Sequence, residues 1–273
     1  MLKPTNQRPF KGDIFGFDIE TYDDNKKFYC ASIYSENYIK SWDNQKFKVF
    51  FNKQDIIDEF KTNKFKGSVV SATNLAFDFW GLFFERYESK HFKTLFRGAD
   101  LITAFTFIEN KNFTLYPKLT KRNKITFIDT MNYAKLGVQK LGQILKIPKL
   151  KKPVCLGKLP ENKEQKDELV TYNIRDSEIS CKALRFLYDS MYKLDATPKM
   201  TIASSSMSLF KNKYLKDTYF RHDPDTLIDQ LGSYFGGRCE AICRGHIENH
   251  YYYDFNSLYP SVMKDNVFPD GRI

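Results

Sequence analysis

Short apolar runs alternate with stretches of helical periodicity through the first 190 residues, and that alternation limits the folds open to the chain. Residues 13–20, Asp-Ile-Phe-Gly-Phe-Asp-Ile-Glu, read as a strand that ends in acids, with 28–34 and 47–51 as its hairpin neighbours. A short helix is expected over 54–60 and a buried strand over 67–73, with helical spacing from Phe77 to Tyr87. Ile125 to Ile128 is another buried strand, closed by Asp129, and an amphipathic helix over 135–147 stops near Pro148. A basic, Pro-bounded loop covers 149–160. Asn162 with Gln165 three residues on is a capping box for a long helix over about 162–192. The apolar face of that helix is Leu169, Ile174, Ile179, Leu184, Leu187 and Met191. Strands alternating with helices in this way favour an α/β layer fold. The stretch 193–200, with Pro198, marks a domain break; a helical stretch over 201–215 and strands near 234–243 and 247–255 follow.

Composition narrows the class of partner. Lys and Arg total 43 against 33 Asp and Glu, a formal charge of +10, which favours a polyanion, either nucleic acid or an anionic membrane surface. Hydrophobic residues make up 42% and aromatics 16%, which excludes a disordered chain, a collagen-like repeat and a coiled coil. No apolar run approaches the roughly eighteen residues of a membrane span. The start, Met1-Leu2-Lys3-Pro4-Thr5-Asn6, has no signal-peptide core, and five Cys make no disulfide framework. These features give the expectation of a soluble, intracellular, basic protein with no membrane partner.

Carboxylates stand at the ends of the apolar runs. Asp18 and Glu20 are two apart on a strand and so project from one face, where a hard divalent cation, Mg²⁺ or Mn²⁺, would pair them. Taken alone, the pair is better explained as a solvated strand end. Asp78, in Asn74-Leu-Ala-Phe77-Asp78, falls near a helix start, where the helix dipole alone would favour it. Tyr172 and Asp176 are four apart on a helix and share a face, as on any mixed helix. Taken together, four carboxylates and a Tyr can hold two metals about 3.5–4 Å apart for a phosphodiester displacement, with the Tyr hydroxyl orienting water.

In this order the motifs Phe17-Asp18-Ile19-Glu20-Thr21, Asn74-Leu75-Ala76-Phe77-Asp78 and Tyr172-Asn173-Ile174-Arg175-Asp176 resemble the proofreading 3′→5′ exonuclease domain of family B DNA polymerases, with its ribonuclease-H-like fold. The resemblance implies that Asp18, Glu20, Asp78 and Asp176 bind metal and that Tyr172 positions water. It also implies that Asn74 and Phe77 meet DNA. Asp129 resembles an acid near the family's site, and Lys140 a Lys that contacts the single-stranded 3′ end; a solvated charge is an equal reading of each.

Later in the chain, Tyr234-Phe-Gly236-Gly237-Arg238 is a Tyr-x-Gly-Gly turn that lets a phosphate backbone approach. Asp254-Phe255-Asn-Ser257-Leu258-Tyr259-Pro resembles the family's first palm motif. It implies that Asp254 binds catalytic metal with the Phe255 carbonyl as a further ligand, that backbone near Ser257 and Leu258 cradles triphosphate, and that Tyr259 stacks under the sugar. The flanking segments resemble the protein-primed branch. The domains implied are an exonuclease over 1–195 and the beginning of an α+β palm over 196–273. No Lys-bearing fingers motif and no Asp-Thr-Asp occur in the sequence. The expectation is therefore the N-terminal part of a polymerase acting in DNA replication, not polymerising alone, with a C-terminal polymerase chain and a terminal priming protein as further partners. A stand-alone exonuclease and a non-catalytic DNA-binding subunit of a split polymerase are the alternatives. Cys239, Cys243, His246 and His250 have zinc-ligand residue types, but the spacing between the pairs is too short for an ordinary finger.

Overall fold

The computed structural model of the chain describes residues 2–84, 92–98, 100–109, 112–114, 124–218, 224–233, 235, 240 and 245–267. They fall into two compact units, Met1–Arg221 and His222–Ile273. The segment 196–221, read from the sequence as the start of the second domain, belongs to the first unit.

The first unit is built on an eight-stranded mixed sheet. Its strands are β1 (Ile14–Tyr22), β2 (Lys27–Ile39), β3 (Gln45–Phe50), β4 (Val69–Ala72), β5 (Lys93–Arg97), β6 (Asp100–Glu109), β7 (Asn112–Thr114) and β8 (Lys124–Asp129). The order is β3-β2-β1-β4-β8-β6-β5, with β7 on β6. β1–β4 and β4–β8 pair in parallel, and the remaining pairs are antiparallel. β5, β6 and β7 go beyond the sequence reading. Leu101, Ile102, Thr103 and Ala104 are all buried, so β6 lacks the alternation that marks a half-exposed strand.

Alternation along β1 sends its side chains to two layers. Phe15, Phe17 and Ile19 join a core of Phe60, Phe65, Phe79, Phe83 and Phe127. That core is covered by α1 (Lys53–Phe60) and α2 (Leu75–Phe83). Gly16, Asp18 and Glu20 face the other layer, α4 (Lys163–Lys193), a 31-residue helix. At its start Asn162 Oδ1 accepts from the Gln165 N–H at 2.9 Å, and the Gln165 side chain reaches back to the Glu161 N–H. α4 comes so close to β1 that a Cβ on Gly16 would lie 2.0 Å from the Ser177 carbonyl oxygen. On neighbouring β2, the Ser32 hydroxyl meets that of Ser177 at 2.6 Å.

The helix expected over 135–147 is confined to α3 (Val138–Ile144), because Gly137 before it is extended and Lys146 after it turns left-handed, φ 59°. The helical stretch expected over 201–215 is α5 (Ile202–Leu209) followed by a π-helical turn, Phe210–Tyr214. The N-terminal arm is tied to this segment through the Thr5 N–H, which donates to the Lys211 carbonyl at 3.0 Å.

In the second unit the described residues form α6 (Pro224–Ser233) and α7 (Leu258–Asp265). The strand expected near 247–255 is absent: the described residues 245–255 have no ladder partner, and a strand needs one. Its hairpin mate near 234–243 lies outside the described residues apart from Phe235 and Glu240.

Candidate active site

The three motifs converge on the α4 side of the sheet. β1 supplies Asp18 and Glu20, the first turn of α2 supplies Asp78, and α4 supplies Tyr172 and Asp176. Glu20, Asp78, Tyr172 and Asp176 are buried and Asp18 is partly buried. Asp78 Oδ1 accepts the Ile19 N–H at 3.1 Å, and Asp18 Oδ2 accepts from Asn173 Nδ2 at 2.7 Å. Asn74 starts α2 from a left-handed conformation, φ 70°, which turns the chain sharply enough to bring Asp78 under β1.

Burial, followed by the neighbouring carboxylates Asp78, Glu20 and Asp176, holds the Asp18 carboxyl well above its ordinary range. Burial and Asp176 push Glu20 up to about 7. Asp78 is raised mainly by burial, against the Ile19 N–H that favours its charged form. Acids that raise one another in this way call for a cation.

The sequence reading missed the cation that the chain itself provides. Lys149, from the loop before α4, forms an ion pair with Asp176 Oδ2 and lies 4.6 Å from the centre of the Tyr172 ring. Burial pulls the Lys149 ammonium down, but the hydrogen bonds to Asp176 and Tyr172 outweigh it and the net shift is upward. Asp176 remains raised, because its burial outweighs the same pair. Lys149 stands in a run with Lys151 and Lys152, so only its place beside α4 distinguishes it.

Asp129 plays a different part from the four. Its carboxylate accepts the N–H groups of Asn74 at 3.2 Å, Leu75 at 2.9 Å and Met131 at 2.8 Å, which fixes the turn that delivers Asp78. Lys140 is exposed on α3 and is not among the groups that act on the four carboxylates. Asn74 and Phe77 are exposed beside buried Asp78. A groove of about 350 Å³ opens there, lined by Thr21, Lys26, Phe77, Trp80 and Phe84 among others.

The donor set suits a hard divalent ion. It is all oxygen, and the second Asp176 oxygen, Oδ1, is buried with no hydrogen-bond partner among the described residues. With Lys149 on Asp176 and Asn173 on Asp18, no three acidic, His or Cys side chains among the described residues close into a ligand cluster. Lys149 holds only Oδ2 of Asp176 and leaves Oδ1 open to an ion.

In the second unit Asp254, Phe255, Ser257, Leu258 and Tyr259 are all exposed. Ser257 adopts a left-handed conformation, φ 55°, and starts α7 at Leu258. Tyr234, Gly236, Gly237, Arg238, Cys239 and Cys243 lie outside the described residues, while His246 and His250 are exposed.

Known proteins resemble the chain in fold and, over part of its length, in sequence. Phi29 DNA polymerase, in its complex with primer-template DNA and incoming nucleotide substrates, superposes with a TM-score of 0.53 at 15% identity, over 75% of this chain and 34% of that one. Its complex with single-stranded DNA gives 0.51 at 14% identity, over 72% and 34%. A "Probable DNA polymerase" of Neurospora intermedia is 32% identical over 115 residues, 40% of this chain and 12% of that protein. The chain thus spans about an eighth of that relative in the alignment and about a third of the Phi29 enzyme. The family described as "DNA polymerase type B, organellar and viral" matches residues 17–273. With the match running from the strand that carries Asp18 past the helix that carries Tyr259, the chain belongs to the type B DNA polymerases of organelles and viruses.

Proposed function

We propose that the chain carries a 3′→5′ exonuclease acting on DNA, in the N-terminal part of a protein-primed polymerase that serves DNA replication. The observation that supports it is the meeting of Asp18, Glu20, Asp78 and Asp176 with Tyr172 on one side of β1. Those four carboxylates would hold Mg²⁺ or Mn²⁺, which when bound offsets charge on the attacking and leaving oxygens of a phosphodiester. The chain's own residues then orient the reactants. Burial keeps the Tyr172 hydroxyl protonated, so it can donate to a water held in line with the terminal phosphorus. The water oxygen bonds to phosphorus and gives up a proton, the bond to the 3′ oxygen of the penultimate sugar breaks, that oxygen takes up a proton from solvent, and a nucleoside 5′-monophosphate leaves. Lys149, firmly protonated, offers its ammonium to the phosphate oxygens once it leaves Asp176.

DNA as the ligand is supported by the +10 charge and by the groove beside Asp78. Phe77, Trp80 and Phe84 there offer faces for unpaired bases, and Lys26 a charge for phosphate. Phi29 polymerase, the structural relative, is known in complexes with single-stranded and primer-template DNA. Asn74, Lys140 and the Tyr234-x-Gly236-Gly237-Arg238 turn are proposed further DNA contacts. Asp254, with the Phe255 carbonyl, the backbone at Ser257 and Leu258 and the ring of Tyr259, is proposed as the start of a palm. These 273 residues hold no Asp-Thr-Asp and no fingers Lys motif, so by themselves they are not expected to extend a primer.

The test is the direction of degradation. Single-stranded DNA labelled at its 5′ end should yield a descending ladder with Mg²⁺ or Mn²⁺, and the same strand labelled at its 3′ end should release labelled mononucleotide first. Internal cuts, or no products with either ion, would overturn the proposal.

A further inference from the structure

Asn173 goes against two local preferences at once. It stands inside α4, where asparagine is among the poorer helix formers, and it is 0% exposed, where amide side chains are seldom found. Its contacts there run across to β1. Nδ2 donates to Asp18 Oδ2 at 2.7 Å, and the same side chain hydrogen-bonds Glu20. An ionised carboxylate only accepts, so it is the NH₂ group of the amide that faces the acids. One side chain of the helix layer therefore engages both acids of the strand. Residues spaced by four along this face of α4 pack on the sheet by other means. The Ser177 hydroxyl meets that of Ser32 on β2 at 2.6 Å, and the Cys181 thiol donates to the Ile14 carbonyl of β1 at 3.4 Å. Asn173 continues that row to the carboxylates.

We infer that Asn173 is a positioning residue, whose amide fixes the Asp18 and Glu20 carboxylates in the orientation that receives a divalent cation. The inference rests on the reading above, in which these carboxylates hold Mg²⁺ or Mn²⁺, and deepens it. A donor seated on Oδ2 sets the rotation of the Asp18 carboxylate, and with it the direction in which Oδ1 points. The amide is neutral. Unlike the Lys149 ammonium on Asp176, it holds an acid without offsetting the negative charge that attracts a cation. Asp78 is held in the same way, by the neutral N–H of Ile19 at 3.1 Å.

Binding of Mn²⁺ to the whole chain without DNA separates positioning from packing. The electron paramagnetic resonance signal of the free ion is followed for the wild type, Asn173→Leu and Ser177→Ala. Asn173→Leu keeps a similar volume and loses the donor; Ser177→Ala removes the helix–sheet hydroxyl contact one turn on. Circular dichroism in EDTA confirms that each protein is folded. Asn173→Leu should bind Mn²⁺ about 10–100-fold more weakly, the usual effect of losing a group that orients a metal ligand. Ser177→Ala should melt at a lower temperature and bind Mn²⁺ as the wild type does. If Asn173→Leu does not fold, nuclear magnetic resonance of the wild type decides: the side-chain amide resonances of Asn173 should shift as Mg²⁺ is added. Wild-type Mn²⁺ affinity in folded Asn173→Leu overturns the inference, and so does an equal weakening in both variants, which would mark a packing role. An Asn173 amide resonance that Mg²⁺ leaves in place overturns it too. A wild type that takes up no Mn²⁺ overturns the metal reading itself, and the inference with it.

Discussion

Lys149 sets one ammonium against a carboxylate in a group of four, and the charge balance of the metal-free protein turns on it. Removing one partner of a buried pair strands the other charge, which costs about 3–5 kcal/mol when both are fully buried. The Lys149 side chain keeps 19% of its exposure, so Lys149→Met should cost less, about 1–3 kcal/mol in EDTA at pH 8. Denaturant unfolding would show the loss shrinking at acidic pH, where Asp176 is protonated; an equal loss at both pH values would contradict the pairing. Glu20 carries the pH dependence in the other sense. Burial and then Asp176 raise its folded value to about 7, above the ordinary 4.5. Its stabilising contribution is complete below pH 4.5 and disappears as pH rises through 7. The metal-free protein should therefore weaken across that window. Glu20→Gln should flatten this limb and leave the apoprotein more stable at pH 8 by roughly 2–3 kcal/mol. Superimposable stability curves for the two proteins would refute it.

α4 and β1 together make the site, and Gly16 sets their distance. Besides the clash with Ser177, a Cβ at Gly16 would lie 2.7 Å from the Cys181 N, both of them backbone atoms of α4. Gly16→Ala should therefore cost toward the upper end of about 1–3 kcal/mol and weaken activity by lifting Tyr172 and Asp176 away from Asp18. Gly137→Ala, where a Cβ meets nothing within 4 Å, should cost only the loss of a good N-cap on α3, about 0.5–1 kcal/mol. Melting curves of the two variants check this, and equal losses would contradict the close approach. The same elements show how far the sequence can be read. β1 and α4 are legible because their periods are clean and because Asn162 and Gln165 cap the helix, and β4 and β8 because each is a short, fully apolar or buried run ending at a polar residue. β5 to β7 are not: β5 is mostly exposed, β7 is three residues long, and the buried row Leu101 to Ala104 gives β6 no alternation. The five acidic and phenolic positions are legible as motifs. Lys149 and Asn173 are not, because one is a loop lysine among lysines and the other a helix residue whose only signal is what it touches.

For the whole molecule, the first unit holds the carboxylates and the aromatic groove, and the second holds the Asp254 motif on exposed chain. No helix among the described residues is long and apolar enough to cross a membrane, and the +10 charge suits a polyanion. On the proposed DNA reading, strand binding should weaken steeply with salt, because phosphate contacts release counterions. The most direct test of the account compares the wild type with Asp18→Ala and Asp78→Ala in single-turnover release of the 3′-terminal nucleotide from single-stranded DNA with Mg²⁺. Both variants should remain folded and still bind the strand, and their cleavage rates should fall by at least about a hundredfold, or roughly 3 kcal/mol of transition-state stabilisation. A rate equal to that of the wild type in either folded variant would contradict the assignment of these carboxylates to the reaction.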